Sequence, residues 1–79
     1  MQNKQTNKLT KYGHLFQTKV LALLVTDKEF LQQVSDIVYP EYFDSDANKW
    51  IVDQTIKYYE EYRTIPTMEV FKVELDKIK

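Results

Sequence analysis

The amino-acid sequence predicts an all-α fold, a small bundle of about four helices. Three observations predict it. Apolar residues recur at the three- and four-residue steps of a helix in four separate stretches. Cap residues and prolines separate those stretches. No alternating apolar and polar run is long enough to argue for a strand.

Residues 1–14 read as a basic and polar leader, disordered on its own, because Met1 to Thr10 offers almost no apolar surface to bury. Gly13, the only glycine, stands before the first apolar run. Residues 15–79 form the helical domain. The first helix is expected from Leu15 to Val25, with Phe16, Val20, Leu23 and Leu24 at helical spacing and Leu21 widening the stripe. Thr26-Asp27-Lys28-Glu29 reads as a capping box, with the Thr26 hydroxyl on the Glu29 amide. The second helix comes next, with Phe30, Leu31, Val34, Ile37 and Val38 on its apolar face. Pro40 ends it, since the residue before a proline avoids the helical region.

Phe43 in the next connector is expected to tuck under the helices, and Asp44 or Ser45 to cap the third helix. That helix should run from Asp46 to Tyr62. Lys49, Asp53, Lys57 and Glu61 succeed one another at four-residue steps with alternating sign, which marks a solvated face. Two apolar stripes lie side by side on this helix. Ile51, Thr55, Tyr58 and Tyr62 form one, and Val52, Ile56 and Tyr59 the other. One core rarely needs both. The Ile51, Thr55, Tyr58 stripe is assigned to the core. Val52, Ile56, Tyr59 and, at the rim, Tyr62 are assigned to a contact surface. Pro66 breaks the chain again, and Thr67 caps a fourth helix from Met68 with Val70, Phe71, Leu75 and Ile78 periodic. The expected core is thus Phe16, Val20, Leu23, Leu24, Phe30, Val34, Ile37, Phe43, Ile51, Thr55, Tyr58, Phe71 and Leu75.

Composition narrows the function. The chain has 79 residues, enough for one modest core, because a domain of this size buries only roughly 60% of its unfolded surface. Cysteine is absent, which excludes disulfides and thiolate chemistry and fits a reducing cytoplasm. The formal net charge is −1. Residues 1–19 carry four lysines and no acid, and the remaining sixty carry seven basic and twelve acidic side chains, a local net of −5. No helix presents a basic face, so nucleic-acid binding is expected to be weak or absent. The longest apolar run, Val20 to Val25, is six residues, far below the roughly 20 that span a bilayer.

Catalytic chemistry has no foothold. A phosphate-binding loop needs several glycines so that backbone amides can close on the anion, and there is one. A single histidine and no cysteine leave no zinc-ligand pattern. His14 sits at the edge of the leader, where a solvated histidine is the simpler account. Glu60-Glu61 and Asp44/Asp46 look like pairs, but both fall on expected solvated faces or caps, without the desolvation that acid–base work requires. No cofactor, metal or small-molecule ligand is expected.

Several motifs together resemble a known family. Phe16-Gln17-Thr18-Lys19-Val20-Leu21-Ala22-Leu23-Leu24 resembles the opening helix of the N-terminal domain of DnaB-type replicative helicases. Val34 to Phe43 is similar to the family's second helix and its closing proline and phenylalanine, here Pro40 and Phe43. Ile65-Pro66-Thr67, with Val70, Phe71 and Leu75 after it, resembles the start of its next helix. The likeness runs from Leu15 to Leu75 without gaps, and Glu41-Tyr42-Phe43 with Tyr62 to Pro66 favours the phage branch. Asn48 stands where the family usually has His, and Ala22 where Gly is common.

The resemblance implies a small orthogonal helical bundle that forms a collar above a motor ring in the cytoplasm of a bacterial host. It implies protein partners: other helicase subunits, primase and helicase loader. It also implies a helical hairpin and an ATPase motor beyond this stretch, so weak dimerisation at most is expected, and no catalysis. Two other classes remain open, a stand-alone helical phage adaptor that binds a replication protein and a small DNA-binding protein.

Overall fold

The computed structural model describes residues 13–78. Of the expected leader, only Gly13 and His14 fall within them, and His14 is already helical. The described residues hold four α-helices and no strand: α1 (His14–Thr26), α2 (Lys28–Val34), α3 (Asp46–Tyr62) and α4 (Met68–Ile78), with a 3₁₀ turn at Pro40–Tyr42 between α2 and α3. The fold is a small all-α bundle.

Local chemistry sets the ends of these helices. α1 starts on Gly13 at φ 92, a backbone region that glycine enters without a Cβ penalty, and the Gly13 carbonyl accepts from the Gln17 amide at 3.3 Å. A single residue, Asp27, joins α1 to α2. Its amide donates to the Leu23 carbonyl at 2.9 Å, and its carboxylate accepts from the Phe30 amide at 3.1 Å. Asp27, not Thr26, is therefore the cap of α2. The Thr26 hydroxyl instead donates to the Ala22 carbonyl inside α1, a local bond that competes with capping.

α2 ends at Val34, short of the expected stop at Pro40. The Ile37 and Val38 amides both close on the Val34 carbonyl, at 2.9 and 3.0 Å, and Tyr39 before the proline is extended. This turn separates two residues that a continued helix would keep together. Val38 packs against the core, and Ile37 is left 59% exposed. The expected core place of Ile37 is thereby corrected. Ser45 caps α3 by accepting from the Asn48 amide at 3.2 Å, and Thr67 caps α4 by accepting from the Val70 amide at 3.3 Å.

α1 packs on α2 and on α3, and the 3₁₀ turn packs on α3. Val20, Leu24, Leu31, Phe43, Val52 and Tyr59 form the buried core. Leu21, Phe30, Val34, Val38, Tyr42, Ile56 and Ile65 lie half-buried around it. The inward face of α1 is Gln17, Val20 and Leu24. That face is rotated away from Phe16 and Leu23, which are exposed instead of buried as expected.

Gln17 is fully buried yet satisfied. Its amide nitrogen donates to the Asp44 carboxylate at 3.0 Å, and its carbonyl oxygen accepts from the Asp44 backbone amide at 2.9 Å. This reciprocal pair fastens α1 to the chain entering α3, and it explains how a polar side chain displaces apolar neighbours from the interior.

Candidate protein-interaction surface

Along most of α3 the two stripes face in the opposite sense to that expected, with Thr55 and Tyr62 keeping the places assigned to them. Val52 and Tyr59, assigned to a contact surface, are buried at 0% and 5% exposure, and Ile56 packs against the core. Ile51 and Tyr58, assigned to the core, are only half-buried and lie outside the core cluster. Thr55 is fully buried, its hydroxyl donating to the Ile51 carbonyl at 2.7 Å. Of the four interface candidates, Tyr62 alone is largely exposed, and its ring sits 4.5 Å from that of Tyr58. The stripes differ little in hydrophobicity, so the choice between them falls to α1 and the 3₁₀ turn, which cover the Val52 side.

Ile51 of the displaced stripe opens onto a cleft of about 440 Å³. It is lined by Val25 and Thr26 at the end of α1 and by Trp50 and Ile51 of α3. Pro66, which is buried, and Met68, Phe71 and Leu75 of α4 complete the lining. Trp50 and Phe71 face each other with ring centroids 6.3 Å apart, tilted by 53°. Phe71 and Leu75, expected in the core, line this cleft instead, and Leu75 is exposed. They miss the core because no residue of α4 reaches it.

The lining contains no ionisable side chain, and its one hydroxyl, Thr26, already donates within α1. Such a surface cannot activate water or hold a charged group. It can bury apolar side chains, with Trp50 and Phe71 as the large rigid contributors. Val25, Trp50, Pro66 and Met68 were not among the expected site residues. The signal for Met68 was present in its spacing with Phe71 and Leu75 along α4. Trp50 belongs to the outward side of α3, beside Ile51.

A second cleft, of about 410 Å³, lies on the other side of α3 and is rimmed by Asp36, Asp53, Glu60 and Lys57 around Tyr39 and Ile56. Lys57 pairs with Asp53 at 3.1 Å, an exposed helical ion pair worth a few tenths of a kcal/mol. Among the described residues, no group of three or more metal-ligating side chains comes together, and no helix is long and apolar enough to cross a membrane. His14 is exposed at the first turn of α1, and Glu60 and Glu61 are exposed on α3.

No protein-family model, no curated protein and no solved structure matches the chain.

Proposed function

We propose that this chain is a protein-docking collar domain of a phage-type replicative DNA helicase, related to the DnaB N-terminal domain. It would serve self-association and the reception of primase and helicase loader, with no catalytic step of its own. The observation that carries the reading is the apolar cleft between α1, α3 and α4, which stands apart from the core and exposes Trp50, Ile51, Phe71 and Leu75 to a common space. A monomer gains nothing in stability from leaving such a surface open; a partner's side chains would gain by filling it. The ordered likeness of Pro40, Phe43 and Pro66 to the helicase pattern supports the choice of partner class.

The test titrates the purified chain with a phage primase and with a phage helicase loader, reading emission from Trp50, the only tryptophan. Binding that shifts this emission and is lost in Ile51→Ser, while the thermal melt moves little, is the expected result. The absence of binding to either partner, or binding indifferent to Ile51→Ser, overturns the assignment. Coding sequence beyond Lys79 supplies a second check. A downstream phosphate-binding loop is expected, and an in-frame stop there would favour the stand-alone adaptor.

A further inference from the structure

We propose that α4 is a detachable arm: it leaves the body of the domain as one unit, pivoting after Pro66, and its departure uncovers Trp50 and Ile51 on α3. Three observations carry this. The first is packing. The extensive contacts join α1 to α2, α1 to α3 and the 3₁₀ turn to α3, and α4 takes part in none of them. It contributes no buried residue and no residue packed against the core. Its attachment includes the Trp50–Phe71 ring contact and the half-buried Val70, while Met68, Val73, Leu75 and Ile78 stay exposed.

The second observation is that the cap of α4 and its Lys77–Glu74 ion pair are local to the arm. Its cap is Thr67, one residue outside it, whose hydroxyl and carbonyl take the Val70 and Phe71 amides at 3.3 and 3.2 Å. Its ion pair, Lys77 with Glu74 at 3.1 Å, is internal. None of these bonds is shared with the body.

The third is that the connection is pinned on the body side only. α3 is closed by Arg63 in the left-handed conformation, with its amide on the Tyr59 carbonyl at 2.7 Å and its guanidinium 5.5 Å from the centre of the Tyr59 ring. Ile65 packs against the core and Pro66 is buried. The anchored part therefore ends at Pro66, and the moving part begins at Thr67. Elements with few buried contacts open at far lower free energy than the domain unfolds. An isolated helix of 11 residues is marginal in water, so the arm loses helix when it detaches and regains it on docking.

The consequence for the cleft rests on its reading as the contact surface, but the movement is testable without any partner. Hydrogen exchange on the whole chain should show the amides from Phe71 to Ile78 exchanging together, at least about 100-fold faster than the slowest amides of α3. Phe71→Ala should speed exchange in α4 further and shift Trp50 emission toward that of a solvated indole, with protection in α1 to α3 unchanged. Protection of α4 equal to that of α3 overturns the proposal. So does a gradient falling from a well-protected Phe71 to a labile Ile78, which is simple fraying, and so does loss of α1–α3 protection in step with α4 in Phe71→Ala.

Discussion

Phe43 has no exposed surface, and its amide closes the 3₁₀ turn on the Pro40 carbonyl at 3.1 Å. One side chain thus joins the core of α1, α2 and α3 to the turn that leads into α3. Truncating a buried aromatic removes its transfer free energy and leaves a cavity, so Phe43→Ala should cost about 3–5 kcal/mol. In a domain whose whole stability is of order 5–15 kcal/mol, that loss dominates. Tyr59→Ala, at 5% exposure, belongs to the same class; its effect should fall on stability rather than on partner binding. Leu15→Ala, at 69% exposure, should stay within about 0.5 kcal/mol of the parent. Urea denaturation of the three variants checks the ranking, and a Tyr59→Ala melt that matches Leu15→Ala would remove Tyr59 from the core.

At the scale of the element, the junction of α1 and α2 discriminates two caps. Asp27→Ala removes the acceptor of the Phe30 amide and should cost about 1 kcal/mol. Thr26→Ala removes only a bond back into α1, and its cost should be smaller by at least half. The reverse order, read from thermal melts of the two variants, would restore the capping box to Thr26. The helices differ in how legible they were in the amino-acid pattern. α3 was readable in its extent, with its cap narrowed to Asp44 or Ser45, because the four-step charge ladder and the break at Pro66 agree. α2 was not, because the restriction imposed by Pro40 reaches only one residue back, whereas the turn at Ser35 to Ile37 is set by Val38 packing inward. On α1, Gln17 could not be recognised as interior, since its partner Asp44 is 27 residues away and only the fold brings the two together. The stripes of α3 were visible as a pair, but which one faces inward depends on the neighbours that cover it. The cleft was therefore legible only in part: Ile51 belongs to the surplus apolar stripe, and the rest of the lining is gathered by the fold from α1, Pro66 and α4.

For the molecule as a whole, the distribution of charge and apolar surface decides what kind of association it supports. From Val20 onward the net charge is −5, and the second cleft adds an acidic rim on the far side of α3. A polyanion meets repulsion there, whereas the Trp50 cleft has no charge to screen. Association through that cleft should accordingly show the thermodynamic mark of apolar burial, a negative heat-capacity change. It should also change little between about 50 and about 200 mM salt, a range over which phosphate-dependent binding falls by orders of magnitude. Calorimetry with primase or loader at several temperatures and two salt concentrations measures both quantities. A steep fall with salt and a heat-capacity change near zero would move the contact to the charged faces. The leader, with Lys4, Lys8 and Lys11, would then be the first segment to delete. Insensitivity to salt together with a negative heat-capacity change, both lost in Ile51→Ser, would place the energy of association in the apolar cleft that the core leaves uncovered.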